Sequence, residues 1–77
     1  MTEELTERER EVVKYLLCGY PYDQIARELD VMPFTVKYHV HNICRKWGTH
    51  SRREISAYAQ QLGIRPEYGM PHSANEL

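Results

Sequence analysis

Glycine and proline cut this chain into four short segments, and each segment repeats its apolar residues at helical spacing. The breaks are Gly19 with Pro21, then Pro33, Gly48 and Gly63. A glycine just past an apolar stripe suits the left-handed residue that closes a helix, and a proline suits a first helical turn. Helices this short are marginal alone and must pack on one another. No alternation of the strand type occurs, so the spacing predicts an all-α fold: a compact four-helix domain over residues 1–63, followed by a disordered, flexible tail over 64–77.

The segments read as follows. Thr6-Glu7-Arg8-Glu9 fits a capping box, and Val12, Val13, Leu16 and Leu17 give helix 1 from about Glu7 to Cys18. Ile25, Ala26 and Leu29 give a two-turn helix 2, about Tyr22 to Leu29. Asp30-Val31-Met32 is the turn into helix 3, which runs from Pro33 to Trp47. Its buried stripe is Val36, Val40, Ile43 and Trp47, within about 40° at 100° per residue. Ser51-Arg52-Arg53-Glu54 fits a second capping box, and Ile55, Tyr58, Ala59 and Leu62 form the inward stripe of helix 4.

A core built from 77 residues, 42% of them hydrophobic, leaves no room for a large substrate cavity. No Ser/His/Asp set, paired carboxylate or phosphate loop is present, so neither enzyme activity nor a cofactor is assigned. No stretch is long and apolar enough to span a membrane, and no signal peptide is visible. Cys18 and Cys44 lack a C-x-x-C pattern and read as reduced near-core thiols, which with the missing signal peptide points to a cytoplasmic setting. His39, His41 and Cys44 point in divergent directions on helix 3, so no metal site is expected.

The net charge of −1 conceals an uneven distribution. Residues 1–30 carry a net −4 and residues 54–77 a net −2. Residues 31–53 hold Lys37, Arg45, Lys46, Arg52 and Arg53 with no acid at all. Such a block suits an anionic partner, although a solvated helix face can look the same.

A short helix, a tight turn and a longer basic helix make the helix-turn-helix layout, in which the second helix enters the major groove of DNA. Opposite the apolar stripe of helix 3 lie Lys37, His41, Phe34, Arg45 and Tyr38, at about 100° to 200° from Val36. Asn42, Thr35 and Lys46 flank that face at about 240–280°, where they can reach phosphates. For Phe34 and Tyr38 three roles stay open: contact with thymine methyls, a protein-contact patch, or simple exposure.

The blocks Thr6-Glu7-Arg8-Glu9-Arg10-Glu11-Val12-Val13, Ile25-Ala26-Arg27-Glu28-Leu29, Thr35-Val36-Lys37-Tyr38-His39 and Ile43-x-x-Lys46-x-Gly48, with Gly19 and Arg52, resemble the DNA-binding domain of LuxR/GerE/FixJ-type transcriptional regulators. The layout is shared with the promoter-binding end of bacterial sigma factors, but the Ile43-x-x-Lys46-x-Gly48 block favours the LuxR/GerE type. The resemblance spans roughly residues 5–63. It implies a sequence-specific DNA-binding regulator with base contacts from Lys37, Tyr38 and His41. It implies phosphate contacts from Thr35, Lys46 and the start of helix 2 at Tyr22 and Asp23. With the flank and face added, the expected phosphate set is Tyr22, Thr35, Asn42, Arg45 and Lys46. The resemblance also implies pairing through helix 4 on a near-palindromic site. The outer face there, Ser56, Ala57, Gln60 and Gln61, is small and polar, so a weak homodimer is expected.

The chain departs from the family pattern at several positions. Pro21 and Tyr22 stand where small polar residues are usual, and Asp23 where a lysine is frequent. Met32 replaces a capping Ser or Thr, a loss of about 1 kcal/mol that Pro33 partly offsets. Trp47 replaces a leucine, and His41 stands where a lysine or arginine is common. Met1 lies five residues before the Thr6 cap, which leaves no room for a sensor domain and reads as a standalone regulator. The alternative function is a protein-interaction module that binds and modulates another transcription factor or RNA polymerase, with Phe34 and Tyr38 as its contact patch.

Overall fold

The computed structural model describes residues 4–66, which form four helices and, among the described residues, no strand. Helix α1 spans Glu7–Leu17, α2 Tyr22–Leu29, α3 Pro33–Trp47 and α4 Arg52–Gln61. Both halves of the first capping box are made. The Glu9 N–H donates to Thr6 Oγ1 at 3.1 Å, and the Thr6 N–H donates to Glu9 Oε1 at 3.0 Å. Cys18, expected as the last residue of α1, is its C-cap.

Helix α2 ends on Asp30 in the left-handed region at φ 60°, a conformation that aspartate tolerates better than most residues. Helix α3 ends on Gly48 at φ 70°, whose N–H donates to the Cys44 carbonyl at 2.8 Å while the Thr49 N–H reaches the same oxygen at 3.1 Å. The second capping box is only half formed. Ser51 Oγ accepts the Glu54 N–H at 3.2 Å, but Glu54 Oε1 takes the N–H of His50, one residue upstream, at 2.7 Å.

The core joins Val12, Val13 and Leu16 of α1, Ile25 and Ala26 of α2, Val36, Val40 and Ile43 of α3, and Ile55 and Ala59 of α4. Helix α3 lies at the centre and packs on all three others, and α1 also packs on α4. Removing the Ile43 side chain beyond Cβ would cost about 2–5 kcal/mol, a large share of what so small a domain has. Trp47 closes the stripe at the edge, its ring 4.9 Å from that of Tyr58 in an edge-to-face arrangement.

Three residues depart from the expected inward and outward sets. Leu62 is 54% exposed, because it falls one position past α4 as its C-cap. Tyr20, between Gly19 and Pro21, is buried, with its ring 5.1 Å from that of Tyr15. Ile64, expected in the tail, packs on the core, and its N–H bonds to the Ala59 carbonyl at 3.0 Å. The rest of the expected flexible tail, from residue 67 onward, lies outside the described residues.

Two polar ties hold the helices in register. Lys46 Nζ donates to Glu9 Oε1 at 2.7 Å and to the Glu4 carbonyl at 3.3 Å, with the lysine and glutamate side chains 14% and 5% exposed. Arg52 Nη2 donates to the Tyr20 carbonyl at 2.7 Å, and its guanidinium lies 5.2 Å from the centre of the Tyr22 ring. The first tie joins the start of α1 to the end of α3, and the second joins α4 to the loop before α2.

Candidate nucleic-acid interface

With Val36, Val40 and Ile43 buried, the opposite face of α3 is turned to solvent. Phe34, Lys37, Tyr38, His41 and Arg45 are all exposed on it, and Thr35 and Asn42 are half-buried at its flank. From Phe34 to Arg45 the face runs about 16 Å at 1.5 Å per residue. Its composition changes along that length: aromatic side chains sit near the start of α3, and His41 and Arg45 follow them. No acid occurs anywhere on α3.

The expected phosphate contacts fall into two groups. Thr35, Asn42 and Arg45 border the outward face. Lys46 and Tyr22 are engaged within the domain: Lys46 turns to Glu9, and Tyr22 packs at the core edge beneath Arg52. Of the five cations in the acid-free block, Lys37, Arg45 and Arg53 are exposed, whereas Lys46 and Arg52 hold the fold. A one-dimensional charge count has no means of separating these groups. Asp23 is exposed at the start of α2.

An open groove of about 480 Å³ runs beside the end of α3, lined by His41, Cys44, Arg45, Gly48, Thr49 and His50. None of these residues is an acid. Thr49 Oγ1 is buried there and makes no hydrogen bond among the described residues. Cys18 is half-buried elsewhere, at the rim of the core, where burial pushes its thiol above the ordinary value and lowers its reactivity. Among the described residues no group of three His, Cys, Asp or Glu side chains could hold a metal ion, and no helix is long and apolar enough to cross a membrane.

Residues 3–59 match the family of bacterial regulatory proteins, luxR family. The chain belongs to this family. Its luxR-family relatives include the HTH-type transcriptional regulator MalT of Cronobacter sakazakii, 42% identical over 69 residues, and that of Yersinia pestis (strain Pestoides F), 44% identical over 61 residues. These alignments cover 90% and 79% of this chain but 8% and 7% of the relatives, so the chain spans a small part of their length. The crystal structure of the phage VqmA-DPO complex matches with a TM-score of 0.75 and 32% identity, covering 96% of this chain and 33% of that one. The luxR-family match and the outward face of α3 meet on the same helix, since Pro33–Trp47 lies wholly inside the matched residues.

Proposed function

We propose that this luxR-family domain is a sequence-specific DNA-binding transcriptional regulator that places α3 in the major groove. One observation carries the reading: the solvent face of α3 bears Lys37, His41 and Arg45 with no acid, directly opposite a buried apolar stripe. The MalT relatives, which are HTH-type transcriptional regulators, support it. In this reading Lys37, Tyr38 and His41 meet base edges, and Thr35, Asn42 and Arg45 meet phosphates. Lys46 and Tyr22 serve the interface by holding α3 and the start of α2 in place.

The same proposal pairs two copies on a near-palindromic site through α4. Ala57, Gln60 and Gln61 are exposed there and Ser56 is half-buried, and exposed Leu62 adds apolar area at the end. The setting is the cytoplasm of a bacterial or phage-infected cell. The second reading, a module that binds another transcription protein, is favoured by exposed Phe34 and Tyr38 and by Asp23. Binding to random duplex DNA over a range of salt separates the two. A DNA binder loses affinity steeply as salt rises through counterion release, whereas a protein-only module binds little at any salt.

A further inference from the structure

We propose that Phe34 and Tyr38 make this domain select thymine, by packing on the C5-methyl groups of neighbouring A·T pairs. The inference rests on the DNA reading above and narrows it to a base.

Four large hydrophobic side chains are exposed among the described residues, and three of them, Met32, Phe34 and Tyr38, lie at the start of α3. Phe34 is 74% exposed and Tyr38 58%. Four positions apart on one helix, their side chains are neighbours on the same face. Nothing on α3 repels a duplex, and Lys37, His41 and Arg45 share or continue the face. Lys37, His41 and Arg45 therefore set the aromatic pair among groups complementary to DNA, and no acidic rim on α3 suits a basic protein partner.

The groove supplies the rest of the argument. Base edges in the major groove present mostly hydrogen-bond donors and acceptors, and thymine alone adds a methyl group. An aromatic ring set against a polar edge strips water from it without returning a hydrogen bond, which is unfavourable. The same ring set against a methyl buries apolar area on both sides. The pair thus rewards thymine and penalises the polar edges of the other bases at the positions it covers. The high exposure of both rings means that truncating them removes little from the fold.

The test begins by selecting bound sequences from a random duplex pool with the full chain. In the selected duplex each thymine is then replaced singly by deoxyuridine, which removes the methyl and keeps the base pair. Affinities are measured at fixed salt for the wild type, Phe34→Ala and Tyr38→Ala. The expected result is thymine enriched at neighbouring positions of each half-site. Deoxyuridine there weakens the wild type about fourfold, the change that corresponds to about 0.8 kcal/mol for one methyl-sized group. At least one of the two variants binds the thymine and deoxyuridine duplexes equally.

A selected site whose thymines tolerate deoxyuridine overturns this inference and leaves the DNA reading standing. Unchanged thymine discrimination in both variants also overturns it and takes the aromatic pair out of base reading. Failure to select any sequence, with binding indifferent to salt, overturns both readings.

Discussion

Lys46 Nζ lies 2.7 Å from Glu9 Oε1, the same oxygen that accepts the Thr6 N–H at 3.0 Å, so the opening cap of α1 and the last turn of α3 form one network. Glu9 is buried, and its carboxylate keeps its charge only in the company of these donors.

Breaking the network from either side has unequal consequences. Lys46→Met leaves a buried carboxylate with only a backbone donor and is expected to cost about 3 kcal/mol, the lower end for a broken buried pair. Glu9→Gln keeps an acceptor for the cap and the ammonium and should cost less. Urea unfolding of the two variants checks the order, and a Lys46→Met midpoint equal to the wild type's would remove the structural role assigned to the pair.

Acid should act through the same carboxyl. Burial alone would raise the Glu9 pKa, but the hydrogen bond from Lys46, the Thr6 N–H and the charges of Lys46 and His39 outweigh it and hold it below its ordinary 4.5. A depressed carboxyl contributes stability that is present above its unfolded value and is lost as pH falls through its folded value. Stability should therefore drop as pH goes below about 4.5, and Glu9→Gln should flatten that decline. Equal acid slopes in both proteins, followed by thermal unfolding, would assign the decline to other groups.

The fold was legible because its signals are local. Gly19, Pro33 and Gly48 mark ends that the backbone itself requires, and the Val36/Val40/Ile43 stripe needs only helical periodicity to be seen. What escaped depends on tertiary placement. Tyr20 sits in a loop, where periodicity says nothing, yet fills the core. Leu62 continues the α4 spacing, but the helix stops before it. Glu9 reads as one more acid near a helix start, and its partner is 37 residues away. At the candidate interface, the outward position of Lys37, Tyr38, His41 and Arg45 follows from angle alone. The diversion of Lys46 and Arg52 does not, because a sequence shows a cation and not what it touches.

Base and phosphate contacts should separate in mutational data. Lys37→Ala is expected to lose about 1–3 kcal/mol of specific binding and to relax preference at one base position. Arg45→Ala should weaken all duplexes alike and flatten the log–log salt slope by about one unit. Titrations of selected and random duplexes at several salt concentrations read both effects. Unchanged specificity in Lys37→Ala would take α3 out of the groove.

Free in solution, the domain should be mostly monomeric at micromolar concentration, since the α4 surface offers small and polar side chains with Leu62 as its one large apolar group. Two half-sites on one duplex raise the effective concentration and complete the pair. Ala57→Arg should then lower cooperative binding to a two-site duplex while leaving single half-site affinity intact. A tight dimer in sedimentation without DNA would place the contact on another surface.

The inward turn of Lys46 and Arg52 also limits how strongly random DNA can hold the domain. Each phosphate neutralised contributes about 0.9 to the salt slope, so the three exposed cations of the block allow about −2.7 per copy. A reading face with so few outward charges lets go quickly of unrelated duplex and is rarely sequestered by the bulk of a genome. Its discrimination then arises from a low background as much as from a firm hold on the correct site.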